Sequence, residues 1–97
     1  CFAMCEAINY ATNRRPIYIG KPDGFMIDFS VERSPFTKEE TVVIGDRLYT
    51  DIACGVNAGI HSIFVLSGEG TMEDVEASET KPEFIYENIR KLYEDLK

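Results

Sequence analysis

What most constrains this chain is the run Thr41-Val42-Val43-Ile44-Gly45-Asp46-Arg47-Leu48-Tyr49-Thr50-Asp51. β-Branched residues end in a glycine and an aspartate, and a second aspartate follows five positions later, where helix-compatible sequence begins. An apolar strand without polar alternation predicts burial on both faces, and hence a parallel α/β sheet flanked by helices. Ligands of such sheets sit beyond the carboxyl ends of the strands, the position expected for Asp46. Two carboxylates there can hold a hard cation such as Mg²⁺, which takes oxygen ligands and keeps waters and substrate phosphates in its shell. The run therefore points to phosphate chemistry.

The flanking sequence predicts the remaining layers. Phe2 to Ala11 fits an amphipathic helix, with Met4, Ile8 and Ala11 on one stripe beside Cys5. Pro16 drives its predecessor out of the helical region, so Ile17-Tyr18-Ile19 should run extended. Gly20-Lys21-Pro22 predicts a tight turn, with the proline in the first turn of a helix over about Asp23 to Arg33. That helix is apolar over most of its circumference, with Phe25, Met26 and Phe29 on one side, and is expected to be largely buried. Thr37-Lys38-Glu39-Glu40 has the spacing of a capping box. Beyond Asp51, Ile52 to Ala58 is rich in small residues that let a helix lie close to a sheet, and Gly59 is placed to end it. His61 to Leu66 reads as a second parallel strand, Thr71 to Val75 as a helical turn capped by Thr71 and Asp74, and Pro82 to Tyr86 as a short edge strand. Ile89, Leu92, Tyr93 and Leu96 mark a final amphipathic helix.

Charge and cysteine content narrow the function. The 97 residues carry a net charge of −7, whose field repels nucleic acid and anionic membranes, so neither is expected as a partner. No apolar run approaches the roughly 20 residues that span a bilayer. Three cysteines without metal-like spacing suit a reducing, cytoplasmic setting. The chain starts at Cys1, inside what reads as a helix, and is expected to be a piece of a longer protein.

Taken together, Gly20-Lys21-Pro22, the Val42–Asp51 run and Asn57-Ala58-Gly59-Ile60 resemble the C-terminal half of a haloacid dehalogenase (HAD) superfamily phosphatase. Leu66-Ser67-Gly68, Thr71-Met72-Glu73-Asp74-Val75 and Lys81-Pro82 extend the resemblance to the NagD-like or 4-nitrophenylphosphatase-like subgroup. The resemblance implies part of a Rossmann-like core, lacking its N-terminal half and most of the cap. Residues 1–15 would be the last cap helix and its return linker, and residues 16–97 the second half of the core. It also implies Mg²⁺-dependent transfer of a phosphoryl group from a small phosphorylated substrate to an enzyme aspartate, followed by hydrolysis. In that scheme Lys21 matches the lysine that neutralises the phosphate, Asp46 the aspartate that binds Mg²⁺, and Asp51 a second acidic residue that orients the lysine and the metal shell. The nucleophilic Asp-x-Asp motif is absent from the sequence. The chain alone is accordingly expected to be inactive and to need the missing half of the same protein or to self-associate as a homo-oligomer.

Each of these residues also has an ordinary structural explanation. Lys21 can be a surface lysine, Asp46 a capping residue, and Asp51 a carboxylate favoured by a helix dipole. Arg47 reads as a solvated arginine or as a substrate or cap contact, His61 as a strand-edge residue, Cys54 as packing, and the aromatics of the 25–29 helix as core. Two other functions fit the acidic loop: an inert interaction module that borrowed the fold, and a receiver or flavodoxin-like domain that binds Mg²⁺ or nothing.

Overall fold

The computed structural model describes residues 2–97. Strands β1 (Val42–Gly45), β2 (His61–Val65) and β3 (Phe84–Tyr86) form one sheet in the order β1-β2-β3. Both pairings are parallel: Val42 lies opposite His61 and Gly45 opposite Phe64, while Ile63 lies opposite Phe84 and Val65 opposite Tyr86. Parallel neighbours need a crossover between them. Helices α3 (Ala53–Ala58) and α4 (Met72–Ala77) occupy the two crossovers. The α/β class read from the sequence is thus observed, and all three strands send their carboxyl ends to one edge, from which the Asp46 and Ser67–Gly70 loops emerge.

Local chemistry sets the element ends. Thr37 and Glu40 close a capping box on a single 3-10 turn, Lys38–Glu40, just ahead of β1. Thr71 Oγ1 accepts from the Asp74 N–H at 3.2 Å and Asp74 Oδ2 from the Thr71 N–H at 3.0 Å, which starts α4; Lys81 reaches back to the Val75 carbonyl at its other end. Gly59, at φ 73°, takes the left-handed conformation that stops α3. Helix α3 is reached through a π-helical turn, Leu48–Ile52. Gly55 in α3 lies so near β1 that a Cβ there would collide with Val43 Cγ1, the close approach its small residues predict. Leu48, Ile52, Phe64 and Val75 form the buried core, with Leu66 packed on it. The last helix, α5 (Ile89–Leu96), is capped by the Asn88 side chain and buries only Leu92.

Two burial expectations fail. Strand β1 is covered on one face only, and Val42 and Ile44 are 44% and 42% exposed. Helix α2 (Phe25–Glu32) buries no residue, and Phe25, Met26 and Phe29 stand about half exposed rather than in a core. It rests on α3 at its start, where a Cβ on Gly24 would lie 3.0 Å from the Ala58 nitrogen. The aromatic side of α2 instead stacks on itself, with Phe25 and Phe29 rings 6.1 Å apart and Arg33 over Phe29 at 4.3 Å. An all-round apolar circumference states that a helix needs cover, not that this chain supplies it.

Helix α1 (Phe2–Thr12) also buries nothing. It meets the following extended segment through Tyr18, whose hydroxyl donates to Glu6 Oε1 at 2.6 Å and whose ring lies 5.2 Å from that of Phe2. The radius of gyration, 15.7 Å, exceeds the roughly 12.5 Å of a compact chain of this length, in keeping with so much uncovered apolar surface. No helix of the described residues is long and apolar enough to cross a membrane.

Candidate functional site

The site begins with a turn that ends an extended segment. Gly20 adopts φ 139°, open to glycine, and its carbonyl accepts from the Asp23 N–H at 2.8 Å. Pro22 follows a cis peptide and sits in this turn, not in the helix; α2 begins later, at Phe25, whose N–H is taken by Asp23 Oδ1 at 2.8 Å. Asn57 on α3 donates its side-chain N–H to the Pro22 carbonyl at 2.7 Å, and the Cys54 thiol lies 3.3 Å from the Asp23 carbonyl. The turn is therefore anchored to α3, and it presents Lys21 to Asp51.

Lys21 Nζ makes an ion pair with Asp51 Oδ1. Asp51 is buried, while Lys21 keeps about half of its side chain in solvent. Asp51 reaches this position from the π-helical turn, and it presses on β1 so closely that any Cβ on Gly45 would overlap its Cβ and Cγ. Gly45 is thus the residue that lets an acid stand directly behind the strand end. Gly45→Ala in the full-length protein is expected to cost about 1–3 kcal/mol through overpacking and to displace the Lys21 partner. Urea unfolding reads the first effect, and unchanged stability would contradict the close approach.

Asp46 follows at the carboxyl end of β1. Its Oδ2 accepts the Glu69 N–H at 2.9 Å, and its carbonyl accepts the Gly70 N–H at 2.9 Å. The Glu69 N–H holds the Asp46 carboxyl below the usual carboxylate range, opposed by partial desolvation and assisted by the charges of Arg47 and Lys21. Asp46 therefore feels the same lysine that Asp51 binds. The loop wraps it tightly, since a Cβ on Gly68 would fall on its carboxylate. Beside it lies an open cleft of about 390 Å³ lined by Arg47, Leu48, Tyr49, Glu69, Gly70 and Asp74, among others. Across this cleft Arg47 Nε pairs with Glu69 Oε2, and the Tyr49 hydroxyl donates to Glu69 Oε1 at 3.1 Å, which raises the tyrosine pKa.

The other singled-out residues separate from this group. His61 starts β2 at the opposite end of the sheet, where Glu83 Oε2 at 2.7 Å raises its pKa. Cys54 is buried, and burial pushes its thiol up, as packing requires. The Asn57 anchor and the Glu69 donor were not singled out as site residues from the sequence. Asn57 carried a signal, as a polar side chain in an otherwise small-residue helix, but the role of Glu69 lies in a backbone N–H that any residue possesses.

Among the described residues no group of three or more His, Cys, Asp or Glu side chains is placed to hold a metal ion. The donor set present, an ionised Asp46 carboxylate beside the Lys21–Asp51 pair, fits the share that a protein gives Mg²⁺: one or two carboxylates, with waters and phosphate oxygens supplying the rest.

A family profile described as HAD-hydrolase-like matches residues 18–92. The chain belongs to the HAD-hydrolase-like family. This membership removes the receiver and flavodoxin-like alternatives. Ribonucleotide monophosphatase NagD of Escherichia coli K12 is 36% identical to this HAD-like chain over 92 residues, covering 95% of the chain and 37% of NagD. The crystal structure of 4-nitrophenylphosphatase from Thermotoga maritima superposes with a TM-score of 0.87 at 44% identity, over 98% of this chain and 37% of that one. A glycerol phosphate phosphatase from Mycobacterium tuberculosis, solved in complex with magnesium, gives a TM-score of 0.81 at 34% identity, over 93% and 27%. The HAD-like chain thus spans 37% of the length of NagD and of the Thermotoga enzyme, and 27% of the Mycobacterium enzyme.

Proposed function

We propose that this chain supplies the Lys21, Asp46 and Asp51 part of the active site of a Mg²⁺-dependent phosphatase acting on small organic phosphate monoesters, of the sugar phosphate, nucleotide or 4-nitrophenyl phosphate type. The observation that carries the reading is the meeting of the Lys21–Asp51 ion pair with an ionised Asp46 at the carboxyl edge of a parallel sheet. Phosphoryl transfer needs placement and neutralisation of spreading negative charge more than covalent help from the protein. Lys21, with about half of its side chain in solvent, is suited to meet phosphate oxygens, while buried Asp51 fixes where its ammonium points. Asp46, aimed by the Glu69 N–H, would hold the cation directly or through water, with Asp51 steadying its water shell. When bound, the cation supplies the remaining positive charge against the phosphoryl oxygens.

The aspartate nucleophile of this scheme would come from the part of the polypeptide outside these 97 residues. Residues 1–15 are assigned to the cap and residues 16–97 to the core. A cytoplasmic setting is supported by the free thiols of Cys5 and Cys54.

The test uses the full-length protein. It is expected to hydrolyse 4-nitrophenyl phosphate with Mg²⁺, to lose that activity on chelation with EDTA and to regain it when Mg²⁺ is restored. The 97-residue chain alone is expected to give no turnover. Hydrolysis by the isolated chain, or metal-independent hydrolysis by the full-length protein, defeats the reading, and no hydrolysis of any phosphate monoester by the latter favours an inert module.

A further inference from the structure

Glu69 is engaged twice, through two different parts of the residue. Its backbone N–H donates to Asp46 Oδ2 at 2.9 Å, and the next N–H, that of Gly70, donates to the Asp46 carbonyl at 2.9 Å. Its side chain is held from the other side of the cleft: Oε2 by the Arg47 guanidinium and Oε1 by the Tyr49 hydroxyl at 3.1 Å. Arg47 directly follows Asp46 and Tyr49 is the second residue of the π-helical turn, so these contacts tie the Ser67–Gly70 loop to the segment that continues from Asp46. The loop has little freedom to drift closer, because the Asp46 carboxylate already fills the space where a side chain on Gly68 would stand.

From this geometry we infer that Glu69 is a positioning residue for Asp46, its carboxylate clamped by Arg47 and Tyr49 so that its own N–H sets the orientation of the Asp46 carboxylate. Exposed ion pairs contribute little to global stability, and both partners here are about half exposed, so a purely stabilising role would leave little trace on removal. The value of the clamp lies in direction. Neither Arg47 nor Tyr49 is thereby a general anion receptor, since the guanidinium is already neutralised by Glu69. This inference rests on the Mg²⁺ reading of Asp46 for its functional consequence, but not for its structural one.

The full-length protein, wild type and Glu69→Ala, separates the two. In the metal-free proteins, amide hydrogen exchange at residues 69 and 70 is expected to be at least tenfold faster in the variant, with the melting temperature essentially unchanged. Calorimetric titration with Mg²⁺ should show roughly tenfold weaker binding, the size of effect seen when a group orienting a metal ligand is removed. Glu69→Gln, which keeps an acceptor for Tyr49 but loses the charge facing Arg47, should fall between. Equal exchange at residues 69 and 70 in wild type and Glu69→Ala overturns the inference. So does faster exchange accompanied by a general loss of protection across the sheet, which would make Glu69 merely a fold residue. If the wild type binds no Mg²⁺ at all, the phosphatase reading fails, and the exchange arm still decides the positioning role.

Discussion

Lys21→Ala in the full-length protein is expected to lower turnover of 4-nitrophenyl phosphate by on the order of 10²- to 10³-fold, the usual cost of removing a fixed donor that meets developing charge. Two separate losses contribute. The phosphate loses a cation, and Asp51, buried beneath the strand end, loses the group that compensates its charge. The second loss leaves a buried acceptor unpartnered, which costs about 1–3 kcal/mol of stability, so turnover must be compared at a temperature where the variant is folded. Lys21→Arg separates the two losses. It keeps a positive charge near Asp51 and should recover most of the stability, yet the planar guanidinium fits the turn differently and should not restore the rate. Wild-type turnover in Lys21→Ala removes the lysine from the mechanism.

Asp46→Asn is expected to raise the Mg²⁺ concentration needed for half-maximal activity by at least about 100-fold, the upper end of what losing a partner one shell further out costs. The amide oxygen can still accept from the Glu69 N–H, so the loop should stay in place and the loss should be one of charge. The pH dependence has a definite sign. The Asp46 carboxyl is lowered in the folded state from an ordinary value of 3.8, chiefly by the Glu69 N–H. Its contribution to stability is therefore present above that value and disappears as the pH falls through the lowered one. In urea unfolding at several pH values, the stability difference between wild type and Asp46→Asn should shrink toward zero in acid. A difference that grows in acid would mean that the carboxyl is not stabilised in its charged form. Unchanged Mg²⁺ dependence in the variant would remove Asp46 as a ligand.

Much of the fold was legible because it depends on residues close together in the chain. The capping boxes at Thr37–Glu40 and Thr71–Asp74, the left-handed Gly59 and the strands β1 and β2 answer to local spacing and backbone sterics. The helix start was misplaced for the same kind of reason: Pro22 is as well suited to a turn as to a first helical residue, and the Asp23 side chain favours the later start at Phe25. Burial was misread in β1 and α2. Hydrophobicity records what a surface needs, whereas the exposure of Val42, Ile44, Phe25, Met26 and Phe29 records what covers it.

By itself, the sequence determined that a β-branched strand runs into an acidic loop, that a lysine turn precedes it, and that small residues allow a helix to lie against the sheet. These follow from periodicity and from steric limits acting over a few residues. Only the tertiary structure decided that Lys21 and Asp51, thirty residues apart, form one ion pair, that Gly45 is the space in which Asp51 stands, and that the Glu69 N–H aims Asp46. Such contacts depend on strand order and loop closure in three dimensions, and a backbone N–H leaves no mark in the identity of the residue that carries it.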